Sequence, residues 1–264
     1  MIRLARRLLQ SALILLAAAA AGASNAQSDV PNVAAASDLQ FALTEIGTAF
    51  AAATGREVKL SFGSSGNFFR QIRDGAPFEM LLSADEAFVQ DLASAGLTEG
   101  SGDLYAVGRL VIMVPHGSRL KADGSLEDLA AALREGRVER FAIANPDHAP
   151  YGRRAEEVLR HTGLWDAIED KLVLGENVSQ AAQFAVYGSA DGGIVAYSLA
   201  LSPSVAALGE FALIPEDWHE PLRQRMVLLK DAGETARMFH DFVGSAPGRA
   251  VLNRYGFVLP GGSM

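Results

Sequence analysis

Four times along this chain a short apolar run gives way to a turn of Ser, Gly, Asn or Asp, then to a segment of helical period closed by Gly. No other feature constrains the fold as strongly, because strands alternating with helices of this length close into parallel sheets through right-handed crossovers. The first unit runs from Asn32 to Ala36, turns at Ser37-Asp38, and continues with Leu39, Ala42, Leu43, Ile46 and Phe50 on one helical face before Gly55. Ser37 is expected as its N-cap. The second unit joins a strand, Glu57 to Phe62, through Gly63-Ser64-Ser65-Gly66 to a helix carrying Phe68, Phe69 and Ile72, with Ser65 where that helix begins. Met80 to Leu82 leads through Ser83-Ala84-Asp85 to a third helix ending at Gly96, and Phe141 to Ala144 leads through the loop 145–152 to a fourth ending at Gly163.

Ligands of such sheets gather beyond the carboxyl ends of the strands, where helix N-termini present unpaired N–H groups and about half a unit of positive charge. Ser37 and Ser65 lie at two of those ends. A lone serine before a helix is ordinarily a cap worth about 1 kcal/mol. Two converging ends form a pocket of neutral dipoles that selects a compact anion by its size and hydrogen-bond count.

Charge is consistent with that reading. The 264 residues hold 23 Lys plus Arg against 31 Asp plus Glu, a net charge of −8. The densest basic stretches, 134–140 and Arg153-Arg154, alternate with Glu or stand as a pair, so no phosphate-tracking face for nucleic acid is expected. The absence of Cys excludes disulfides, thiol nucleophiles and thiolate metal sites. The five His stand singly, without the spacing of a zinc site, and no free metal cation is expected. At the N-terminus Arg3, Arg6 and Arg7 precede the apolar run Ser11 to Ala21 and the small-residue pattern Ser24-Asn25-Ala26. This reads as a cleavable export signal over 1–26, too short to span a bilayer, with the mature chain starting at Gln27. Without a Cys after the signal no lipid anchor is expected, and the product is expected to be periplasmic.

Several short motifs, in order, carry a resemblance. Ala34-Ala35-Ala36-Ser37-Asp38-Leu39, Phe62-Gly63-Ser64-Ser65-Gly66, Gly75-Ala76-Pro77, Ser83-Ala84-Asp85-Glu86, Asn145-Pro146, Ala149-Pro150-Tyr151-Gly152, Glu176-Asn177-Val178, Gly193-Ile194-Val195 and Arg254-Tyr255-Gly256-Phe257 span nearly the whole mature chain. In these the sequence resembles the periplasmic molybdate-binding proteins of ABC importers. The resemblance implies an α/β, two-lobed flytrap fold, each lobe a mainly parallel sheet flanked by helices, with a two-strand hinge. Lobe one would comprise 27–107 and 226–264, lobe two 108–225. The apolar strands Arg109 to Val114 and Arg225 to Leu229 would form the crossings. Ser37 and Ser65 from lobe one, and Tyr151 and Val178 from lobe two, the latter pair chiefly through backbone N–H groups, would hold molybdate or tungstate. Asp38, Ser64, Gly66 and Tyr197 would stand around them. A monomer without cofactor or catalytic activity would pass the anion to the membrane subunits of an ABC permease.

Two residues depart from the family pattern. Some members carry Tyr directly after Gly-Ile-Val, where this chain has Ala196 and then Tyr197. One residue of shift along a strand turns a side chain to the other face, so Tyr197 is expected to pack, leaving Tyr151 as the phenol of the site. Asp38 is uncomfortable beside a dianion: at about 5 Å and an effective dielectric of about 20, like unit charges repel by about 3 kcal/mol. It is therefore expected to point away or to support its helix N-terminus. Asp147 and His148 are expected on the loop surface. Two alternatives stay open: a binding protein for sulfate or phosphate, or a periplasmic hydrolase or transferase using Asp38, Asp85 and His148. The stretch around Ser64 and Ser65 lacks the Gly-x-Ser-x-Gly nucleophile elbow, which argues against acyl hydrolysis.

Overall fold

The structure, a computed structural model, describes residues 30–261. The expected export signal lies outside the described residues. Within them no helix is long and apolar enough to cross a membrane.

The chain forms two five-stranded sheets. The first half runs β1 (Asn32–Ala36), a 3-10 turn (Ser37–Leu39), α1 (Gln40–Thr54), β2 (Lys59–Gly63), α2 (Ser65–Arg73), β3 (Met80–Ser83), α3 (Glu86–Ser94) and β4 (Asp103–Gly108). After Arg109 the second sheet is built by β5 (Leu110–Pro115), α4 (Glu127–Arg134), β6 (Phe141–Ala144), α5 (Pro150–His161), α6 (Trp165–Ile168), β7 (Leu172–Gly175), α7 (Val178–Val186), β8 (Gly193–Ala196), α8 (Tyr197–Ala200), α9 (Pro203–Ala206) and β9 (Gly209–Leu213). β10 (Leu222–Leu228), α10 (Glu234–Gly244) and α11 (Ala246–Arg254) return to the first lobe. The glycines read as helix stops, Gly55, Gly75, Gly96 and Gly163, all take positive φ, the left-handed conformation that ends a helix at little cost to a residue without Cβ.

The sheet orders are β2-β1-β3-β10-β4 and β7-β6-β8-β5-β9. In each, the first three strands are parallel and the fourth is antiparallel to both neighbours, so one strand per sheet is reversed. The reversed strand is the one that arrives from the other lobe, β10 or β5. Alternating side chains put Val33, Ala35, Met80 and Leu82 against α1 and α10, with Phe50 and Phe239 in the same cluster. Ala34, Leu81 and Val227 face the other way, onto Phe68, Ile72, Val89 and Leu92 of α2 and α3. Both faces of this sheet are covered, which is why its central strands read as unbroken apolar runs.

Gly108 ends the last outgoing strand of the first sheet and Leu110 begins the second, so the chain crosses at Arg109. The return does not fall at 225/226. Leu222 already pairs with Gly108, and Arg223 with Val107, so 222–225 belong to the first sheet and the chain crosses back between β9 and β10. The strands Arg109 to Val114 and Arg225 to Leu229 are therefore sheet interior more than hinge. Their apolar character comes from burial at the fourth position of each sheet, which a linear pattern does not distinguish from a crossing.

Candidate functional site

The carboxyl ends of β1, β2, β3 and β6 lead into one small cavity between the lobes. Lobe one contributes Ser37, Asp38, Ser64, Ser65 and Ala84, and lobe two contributes Ala149, Pro150, Tyr151 and Val178. The structure thus brings the four expected site residues to one cavity, across 141 residues of chain from Ser37 to Val178.

Three helices begin there. Ser65, Tyr151 and Val178 lie in the first turns of α2, α5 and α7, where no intrahelical acceptor exists for the N–H. Their N–H groups have no acceptor among the described residues. Pro150 at the head of α5 lacks an N–H, which makes that of Tyr151 the first donor of the helix. The hydroxyls add to this. Ser65 Oγ accepts from Ala84 N at 3.0 Å and Ser37 Oγ from Ser179 N at 3.3 Å, so each keeps its O–H hydrogen to donate.

At Ser37 the capping differs from expectation. Ser37 opens the 3-10 turn itself, with Ala36 in the cap position and no side-chain cap bond. Ser65 opens α2 as expected, and Ser64 caps it, accepting from Asn67 N. Asp85 caps α3 and Asn177 caps α7, where its Oδ1 accepts from both Ser179 N and Gln180 N.

Asp38 does not point away. It is buried, lines the cavity, and its Oδ2 accepts from Gln224 Nε2 at 2.7 Å and from the Tyr151 hydroxyl at 3.0 Å. Tyr105 donates to Gln224 Oε1 at 2.6 Å, which fixes the amide with its NH₂ toward the carboxylate. Oδ1 is buried without a partner. Burial pushes the Asp38 carboxyl up to about 6, against the lowering pull of Gln224, Tyr151 and the nearby N–H groups of Asp38 itself and Leu39. Burial, then the charge on Asp38, raises the Tyr151 hydroxyl well above the ordinary phenol range. The Tyr151 backbone N–H is left without an acceptor, and its hydroxyl is committed to Asp38. Gly108 makes room for it: a Cβ there would stand 2.2 Å from Tyr151 Oη.

His148 is a second correction. Asp147 is exposed as expected, but His148 is buried, with Nδ1 2.9 Å from Ser64 Oγ and its carbonyl accepting from Gly66 N at 3.0 Å. It holds lobe two against lobe one. Tyr197 opens α8 just after β8 ends, so a helix start, not the strand pleat, directs it. Its ring packs 5.8 Å from Phe211 under the Arg109 guanidinium, outside the cavity. Sequence reasoning missed Gln224 and Ser198, whose Oγ donates to the Asp38 carbonyl at 2.8 Å. Gln224 had a signal: a polar residue at an inward position of the alternating run Leu222-Arg223-Gln224-Arg225-Met226, where a bulge re-aims the strand.

Asp38, Asp85 and His148 are not linked to one another by any hydrogen bond among the described residues, each being engaged elsewhere. No cluster of three or more His, Cys, Asp or Glu there is arranged to hold a metal ion.

Residues 31–258 match the family described as bacterial extracellular solute-binding protein. The chain is 38% identical over 217 residues to the molybdate-binding protein ModA of Rhodobacter capsulatus, covering 81% of this chain and 82% of that one. Against ModA of Azotobacter vinelandii the identity is 34%, covering 94% and 98%. The solved Azotobacter vinelandii periplasmic molybdate-binding protein superposes with a TM-score of 0.78 at 30% identity, over 87% of this chain and 99% of that one. The two-lobed architecture, the inter-lobe cavity at the strand ends and these similarities agree, and the chain belongs to the bacterial extracellular solute-binding proteins, in the family of the molybdate-binding proteins.

Proposed function

We propose that this protein captures molybdate in the inter-lobe cavity, in the periplasm, and hands it to the membrane subunits of an ABC permease without catalysing a reaction. One observation carries the reading: N–H groups without acceptors from both lobes and two serine hydroxyls from lobe one line one small cavity. Neutral donors bind a dianion without a full counter-charge, and a cavity wrapped from both sides selects by radius. Ser37, Ser65, Tyr151 and Val178 hold the anion, the last two by backbone N–H. Tungstate, of the same shape and charge, enters as a competing cargo. Residues 1–26 direct export and are removed, and the mature protein works as a soluble monomer.

Thermal unfolding with molybdate, tungstate, sulfate and phosphate tests this. A ligand at 100 times its Kd stabilises the folded state by about 2.7 kcal/mol. Molybdate and tungstate are expected to raise Tm at concentrations where sulfate and phosphate do not. A rise with sulfate or phosphate alone reassigns the ligand.

A further inference from the structure

Resting on the molybdate reading, we propose that Asp38 takes up one proton from solvent as the oxyanion enters and donates it through Oδ1 to a ligand oxygen, making capture proton-coupled. The geometry leaves that oxygen for the task. Oδ2 already accepts from Gln224 and Tyr151, whereas Oδ1, on a residue that lines the cavity, is buried without a well-aligned hydrogen-bond partner, the N–H groups of Asp38 and Leu39 alone drawing further on the carboxylate. An ionised carboxylate and a dianion in one cavity shielded from water repel each other, and an unpaired buried acceptor is costly in itself. A proton on Oδ1 removes both penalties and turns the residue into a donor like Ser37 and Ser65.

The groups around the carboxylate favour this. Tyr151 faces it from α5, Gln224 from β10, and Tyr105 of β4 stands behind Gln224. Both phenols are held well above their ordinary range by burial, so they stay neutral through the pH range of interest. From α8, Ser198 engages only the Asp38 backbone, and from α7, Ser179 N bonds Ser37. No Lys, Arg or His side chain contributes to the Asp38 titration among the described residues. His148, beside the cavity, is bonded to Ser64 and lies 3.7 Å from the Glu176 carboxylate, and Arg153 faces Asp85 at 3.7 Å. Because the free carboxyl titrates near 6, uptake approaches one proton above that pH and vanishes below it.

Calorimetry of molybdate binding in Hepes and Tris at pH 8, buffers of different ionisation enthalpy, counts the protons. The full mature chain is expected to take up close to one per molybdate, and its Kd is expected to rise roughly tenfold per pH unit between 7 and 9. Asp38→Asn is expected to bind with no uptake and a flat pH profile, while His148→Asn keeps the uptake. Molybdate binding by the parent without proton uptake, or uptake abolished by His148→Asn and retained by Asp38→Asn, overturns the proposal and leaves the molybdate reading standing. Absence of molybdate binding by the parent at every pH removes both. The parent's proton count and pH profile decide the matter even where a variant fails to fold.

Discussion

Ser37 and Ser65 look alike in the sequence but are bonded differently, and truncating them separates binding from stability. Ser65 Oγ is the acceptor for the buried Ala84 N–H, whereas Ser179 N, which bonds Ser37 Oγ, also has Asn177 Oδ1. Ser65→Ala is expected to cost about 1–3 kcal/mol of stability in urea unfolding, and Ser37→Ala little. Each is expected to weaken molybdate binding by about 1.5–3 kcal/mol, the range for a hydrogen bond to a charged group. Parent-like binding by both would reduce them to structural serines. Tyr151→Phe is expected to act through Asp38: loss of a donor to a buried carboxylate costs about 1–3 kcal/mol of stability, whereas Tyr197→Phe, outside the cavity, leaves affinity unchanged. The reverse ranking would mean that Tyr197 reaches the ligand. Asp38 also links stability to pH. Its folded carboxyl is raised from 3.8 to about 6, so its contribution is fully present below 3.8 and is lost as pH rises through 6. Asp38→Asn is therefore expected to gain on the parent between pH 4 and pH 8 by up to about 3 kcal/mol in the unligated protein. A constant difference across that range would contradict a buried, raised carboxyl.

Among the elements, α7 shows how one cap serves the site. Its nine residues, Val178–Val186, start with Asn177 accepting from two N–H groups, which leaves that of Val178, a lining residue of the cavity, without an acceptor. Asn177→Ala is expected to cost about 1 kcal/mol of stability and to weaken binding, because the first turn that presents Val178 frays. Unchanged affinity alongside the stability loss would remove Val178 from the site. α2 uses Ser64 in the same way, and the hydroxyl is shared with His148, so one residue both caps a helix and joins the lobes. The sequence marks the turn before α2 as a helix start. It does not mark which of two adjacent serines is the cap, since either residue type satisfies the local rule and the φ, ψ of the preceding strand decides.

At the scale of the whole molecule, the lobes meet through Gly66 N to His148 O, Ser64 Oγ to His148 Nδ1, and Ser179 Oγ to Gln40 Oε1 at 2.5 Å. Gly66 permits this approach. A Cβ there would stand 2.6 Å from the His148 carbonyl oxygen, and the obstruction is backbone that cannot rotate aside. Gly66→Ala is expected to leave each lobe folded but keep the cleft ajar, with a larger radius of gyration under saturating molybdate and a weaker Kd. Small-angle scattering that shows the parent's compaction in the variant would remove Gly66 from closure.

Val178 came only from the resemblance to the molybdate-binding proteins; by itself the sequence determined the repeating strand–turn–helix units, the left-handed glycines that end helices, and the placing of Ser37, Ser65 and Tyr151 in the turns at strand ends. These follow from local periodicity and backbone sterics, which a few consecutive residues dictate. Tertiary structure alone decided the fate of Asp38, which depends on Tyr151 and Gln224, 113 and 186 residues away. It decided likewise that Leu222–Leu228 completes the first sheet, that Tyr197 opens a helix, and that His148 is an inter-lobe contact. Burial and hydrogen-bond partnership are properties of segments brought together in space, and a carboxylate reads the same in sequence whether water or a closed cavity surrounds it.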